Sequence, residues 1–174
     1  MLGTQMIRPV LKYGASELET ESSPITQFDD EIRSLAQDML ETMYAAPGIG
    51  LAAPQVGINL RLIVVDVSGG EEQGHQVILA NPELTQQEGS QDGEEGCLSI
   101  PGFTAVVERP QSIVVSARDL DGNPRRIEAD GLLARVLCHE VDHLDGILYL
   151  DRISLLKRDL IKRKIKKLIR AGEW

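Results

Sequence analysis

Only two cysteines, Cys97 and Cys138, occur in the 174 residues of this chain. That is too few for a disulfide framework and predicts a reducing compartment. Aromatic residues make up 3% of the sequence, so the core must be mainly aliphatic. No apolar run approaches the roughly 18 to 20 residues needed to cross a bilayer, and no basic, apolar signal-like segment opens the chain. We therefore expect a cytoplasmic protein with no membrane partner. Internal repeats and long linkers are also missing, and the length suits one compact domain.

Basic residues are scarce outside the last segment. Residues 152–174 hold nine Lys and Arg against Asp159 and Glu173, a net +7, which leaves −16 on residues 1–151. The division predicts a body over residues 1–151 and a basic C-terminal helix over 152–174, packed on the body or extending from it, with a separate partner for the tail. No DNA partner is expected.

Ile32, Leu35, Ala36, Met39 and Met43 recur at helical spacing between Asp29 and Ala46, and Pro47 and Gly48 follow as a stop. Arg61 to Val67, Gln76 to Asn81 and Ser112 to Arg118 are short, rich in β-branched residues and bounded by turn formers, which predicts strands with antiparallel or mixed pairing. From Gly131, the residues Leu132, Leu133, Val136, Leu137 and Val141 return to helical periodicity, with Asp130 able to cap the start and Gly146 the end. A last helix from about Ser154 to Arg170 would place Leu160, Ile161, Ile165 and Leu168 on one apolar stripe. The expected class is α+β, with antiparallel or mixed sheets around the Gly131 helix and further helices at the N- and C-terminal ends.

That central helix contains HExxH: His139, Glu140 and His143. Two imidazoles four residues apart on a helix share one face and can reach one divalent cation, with the glutamate placed to handle a proton. Alone the motif is a moderate signal, since two surface histidines and a solvated glutamate read the same way. A third ligand decides between them. Downstream, the position of a third peptidase histidine is Tyr149, and the only glutamate beyond His143 is Glu173. Upstream stand His75, in a glycine-rich polar stretch that reads as an exposed loop, and Cys97 in EGCLS. Cys97 could equally be a small buried residue; as a thiolate beside two imidazoles it would leave a fourth tetrahedral position for water.

Three motifs in order, GIGLAAPQ (48–55), EGCLS (95–99) and HEVDHLDG (139–146), resemble those of the peptide deformylases. The likeness includes Arg8 and Pro9 and extends to about Asp151. One departure is Cys138, where the family often has glutamine; it lies about 100° around the helix from His139 and should face the core. The resemblance implies a metal-dependent hydrolase that removes the formyl group from the N-terminal formyl-methionine of nascent peptides. It implies one divalent ion, Fe²⁺ in the cell and Zn²⁺, Ni²⁺ or Co²⁺ in purified protein, held by Cys97, His139 and His143. Glu140 would carry the proton, while the Gln55 amide and the Leu98 backbone N–H would donate to the developing oxyanion. GIGLAAPQ lacks a P-loop lysine and a preceding strand, so it reads as a wall for an extended peptide. In that wall Gly50 would offer backbone hydrogen bonds, and Ile49, Leu132 and Val136 would line a methionine pocket. In some deformylases a C-terminal helix contacts the ribosome, which suits the basic tail. An organelle form with its transit segment removed would have the same motifs.

Overall fold

A computed structural model describes residues 4–174; the first three positions of the expected 1–151 body lie outside the described residues. Asp29 accepts a hydrogen bond from the Ile32 N–H and caps α1 (Asp30–Ala45), whose apolar face buries Ile32, Leu35, Ala36, Met39, Leu40 and Met43. β1 (Gly50–Ala52) and β2 (Leu62–Val65) follow. β3 (Val77–Glu88) leads into β4 (Gln91–Cys97) and β5 (Ile100–Arg109), then β6 (Ser112–Arg118) and β7 (Pro124–Asp130). α2 (Gly131–Leu144) and α3 (Leu155–Arg170) complete the order.

The strands form a five-stranded sheet, β1-β2-β3-β6-β7, and a separate β4-β5 hairpin. Every ladder is antiparallel, and the fold class is the expected α+β. β2 shows why a short unbroken apolar run marks a central strand. Its alternate residues bury on opposite faces: Ile63 and Val65 join a core with α2, whereas Leu62 and Val64 join a second core with α1. The sheet is therefore covered on both sides, and α2 is held against it by Ala134, Leu137, Val141 and Leu144.

Several elements differ from the sequence expectation. β3 runs past Asn81 and Pro82, where the reading ended; Asn81 takes φ 51° and the register shifts there. Its side-chain amide exchanges two hydrogen bonds with the backbone of Ile25, which holds the bend and lets the strand continue. β1, β4, β5 and β7 were not expected. β4 reads QDGEEGC and β7 PRRIEAD, without the apolar alternation that marks a half-buried strand. On α3 the predicted stripe faces the body at Ile165, which is fully buried, and at the half-buried Ile161 and Leu168, but Leu160 is 47% exposed at its edge. That third core joins α3 to the hairpin through Ile100, Val107 and Tyr149. Asp130 stands at the N-cap of α2 without a capping side-chain bond, and Gly146 follows the C-cap Asp145 in the left-handed region.

Candidate metal centre and active-site cleft

Three chain segments converge at the centre of the molecule. α2 carries His139 and His143 one turn apart, with ring centroids separated by 5.0 Å. β4 delivers Cys97 at its end, where a register shift between Gly96 and Cys97 and the two-residue turn Leu98–Ser99 re-aim the strand. The Cys97 Sγ lies 3.4 Å from His143 Nε2, and the donor atoms of Cys97, His139 and His143 all lie within 4.8 Å of one another. His75 stays in its loop, half exposed and 2.8 Å from Glu72. Cys138 is buried in the α2 core, where loss of solvent pushes its thiol up to about 11. Tyr149, at the alternative histidine position, donates its hydroxyl to the Phe103 carbonyl at 3.1 Å.

The support around the centre centres on Glu95, a residue of the EGCLS motif to which the sequence reading gave no role. Its Oε1 is 2.8 Å from His139 Nδ1 and 2.9 Å from Arg109 Nη2. Its Oε2 accepts from Arg109 Nε at 2.9 Å and from Arg135 Nη1 at 2.6 Å. Arg109 also donates to Asp142 at 2.6 Å, and Arg152 closes the network on Asp142. Burial alone would raise the Glu95 pKa. Hydrogen bonds from Arg109 and His139, with the Arg109 charge, outweigh it and bring the carboxyl to about 2. Glu95 is thus an anion at neutral pH. In the metal-free site, against burial, Cys97 and Glu95 push the His139 pKa well above its ordinary value, and a bound ion would replace the Nε2 proton while Glu95 keeps the one on Nδ1.

Glu140 has the opposite environment. Burial pushes its pKa up to about 7, with the neighbouring His139 charge pulling it back. Its Oε2 is buried with no hydrogen-bond partner among the described residues, a costly state for a polar atom that needs a partner from solvent or substrate. Burial likewise pushes His143 well below its ordinary value, so it is a neutral imidazole with an available lone pair. A thiol and two imidazoles, one of them oriented from behind by Glu95, match the donor set of zinc or a similar first-row ion.

Gln55 sits in a short 3₁₀ turn (Ala53–Val56). Its Oε1 accepts from the Ala52 N–H at 3.0 Å, which directs Nε2 to Ser99 Oγ at 3.1 Å and towards Cys97 Sγ at 3.6 Å. A cleft of about 600 Å³ opens from the centre. Ile49, Gly50, Leu132 and Val136 line it together with Gln55, Cys97, Leu98, His139 and Glu140. All ten residues singled out in the sequence therefore lie in one region, with His143 just behind the cleft wall.

A cysteine sulfur and two imidazoles that could hold one metal ion, beside a buried glutamate and an apolar cleft, are an arrangement of the metal-dependent hydrolase class. Residues 7–159 match the family model described as polypeptide deformylase. The peptide deformylase of Acidobacterium capsulatum is 49% identical over 169 residues, covering 97% of this chain and 99% of that protein. That of Alkalilimnicola ehrlichii is 51% identical, covering 95% and 93%. The crystal structure of a peptide deformylase from Legionella pneumophila superimposes with a TM-score of 0.88 at 42% identity, covering 95% of this chain and 97% of that one. The chain belongs to the polypeptide deformylase family.

Proposed function

We propose that this chain removes the formyl group from the N-terminal formyl-methionine of new polypeptides and releases formate. The observation that carries the reading is the convergence of the Cys97, His139 and His143 donor atoms within 4.8 Å, beside the buried carboxyl of Glu140. A divalent ion held by Cys97, His139 and His143 would supply Lewis-acid activation of water there. Glu140 takes the proton of the attacking water and returns it to the leaving amine, a task suited to a carboxyl raised towards neutrality by burial. Gln55 Nε2 and the Leu98 N–H donate to the formyl oxygen as it gains negative charge. Gly50 hydrogen-bonds the substrate backbone, and Ile49, Leu132 and Val136 enclose the methionine side chain.

Fe²⁺ is the ion assigned in the cell, with Zn²⁺, Ni²⁺ or Co²⁺ in its place after purification. No helix among the described residues is long and apolar enough to cross a membrane, and the compartment assigned is the bacterial cytoplasm. The cation-rich face of α3, set on an acidic protein, is assigned to ribosomal RNA.

The test is formate release from formyl-Met-Ala-Ser by protein prepared without air, with metal analysis of the same sample and an unformylated peptide as control. Formate without internal cleavage supports the reading. Internal cleavage, or no formate from metal-loaded protein, overturns it.

A further inference from the structure

The residue after α3 that reaches back into the molecule is Trp174. Its indole N–H donates to the Tyr13 carbonyl at 3.0 Å, its ring lies 6.3 Å from that of Phe103, and the Lys12 ammonium sits 5.9 Å from the ring centroid. Of these partners Phe103 lines the active-site cleft, with Pro101, Gly102 and Thr104, and Lys12 and Tyr13 follow closely on Val10, which lines it from the N-terminal segment. On its other side that segment is anchored by its own backbone, independently of Trp174: the Leu11 N–H donates to the Gln55 carbonyl at 2.7 Å and the Tyr13 N–H to the Ser99 carbonyl at 2.8 Å. The Ser99 hydroxyl in turn meets Gln55 Nε2.

We infer that Trp174 is a positioning residue for substrate binding: by tying residues 10–13 to residues 101–104, it sets the outer mouth of the cleft, where the peptide beyond the methionine must lie. Gly102 in the left-handed region and the exposed Pro101 leave that lip with little local support. A large ring behind Phe103 supplies it at small entropic cost, because an indole has only two side-chain torsions to fix. His139, His143 and Glu140 stand on α2, with His139 anchored by Glu95, and Cys97 stands at the end of β4. The Trp174 hydrogen bond goes to Tyr13 and to none of these four. Loss of Trp174 should therefore weaken binding of extended substrates and spare the chemical step.

This inference rests on the deformylase reading. It is tested by steady-state kinetics with two substrates, formyl-methionine amide and formyl-Met-Ala-Ser, on the metal-loaded full chain and its Trp174→Ala and Trp174→Phe variants. For Trp174→Ala the expected result is a KM for the tripeptide raised roughly fivefold or more, with kcat for both substrates and KM for the amide unchanged, as for lost binding energy away from the reacting atoms. Trp174→Phe, which keeps a ring against Phe103, should recover most of the tripeptide KM. Equal losses on both substrates would mark a structural role and overturn the assignment, as would unchanged kinetics on both. If Trp174→Ala does not fold, the same comparison on Trp174→Phe decides, through a smaller rise confined to the tripeptide. A wild-type chain that released formate from neither substrate would instead overturn the deformylase reading.

Discussion

Gly50 runs so close to Glu140 that a Cβ built on it would lie 2.6 Å from the carboxylate Oε1 and 2.9 Å from a methyl of Val136. The glycine is there for space, because its φ is not in the left-handed region. Gly50→Ala should leave the metal donors intact and displace Glu140. A misplacement of about 1 Å at a reacting group costs about 10²-fold in rate, so kcat/KM should fall by that order with metal content unchanged. An alanine variant with normal turnover would show that Glu140 has room to move.

Glu140→Ala removes the proton carrier and no metal donor. The expected loss in kcat is about 10²- to 10⁴-fold, with one metal ion per chain retained by elemental analysis. Near-normal turnover of a formyl-Met peptide by this variant would sink the assigned role.

HExxH was legible because a helix repeats its face every three to four residues, and α2 places His139 and His143 together whatever surrounds them. β2 was legible for a similar reason, as four apolar residues buried on both faces. The β4-β5 hairpin was not: β4 reads QDGEEGC, whose polar side chains form a strand only through their partner. In β5 the apolar residues do not keep to one face, with Val107 buried and Val106 exposed. Glu95 finds Arg109 fourteen residues away and Arg135 and His139 at least forty away, so no local pattern marks it. Cys97 could be placed near the histidines only through the resemblance. Trp174 drew no attention because its partners, Tyr13 and Phe103, are distant in the chain.

Cys97→Ser exchanges a soft thiolate for a hydroxyl that remains protonated at neutral pH. Metal affinity should fall, and preference should shift away from thiophilic ions such as zinc. Competition with a chelator, read by metal content after dialysis, gives the change. Equal retention of metal and full activity would refute Cys97 as a ligand.

Glu95 has a folded pKa of about 2, below the usual glutamate value of about 4.3. A depressed carboxyl contributes stability that is fully present above the unfolded value and is lost as pH falls through the folded one. The window is therefore about pH 4.5 to 2, and the contribution is on the order of 3 kcal/mol. Glu95→Gln should flatten that part of the pH–stability curve, measured by urea unfolding of metal-free protein. It should also cost about 3–5 kcal/mol at neutral pH, because Arg109 and Arg135 stay buried with less counter-charge. With His139 no longer anchored by an anion, metal affinity should drop about 10- to 100-fold. A variant with the wild-type slope below pH 4.5 would remove Glu95 from the acid response.

The basic helix needs a test that leaves its packing alone. Truncation before Leu155 would also remove Ile165 and Trp174 from the third core, so lost binding by a truncated protein would have two explanations. Arg163, Lys164, Lys166 and Lys167 are exposed, and replacing all four with Gln removes charge without disturbing Ile165. Binding to RNA through such contacts weakens with salt in proportion to the number of phosphates neutralised. The wild-type chain should therefore cosediment with ribosomes at low salt and be released as salt rises. The four-Gln variant should bind at least tenfold more weakly and with a shallower salt dependence, while its activity on formyl-Met-Ala-Ser stays unchanged, since α3 contributes no residue to the cleft. Equal ribosome binding by the variant would remove α3 as the contact.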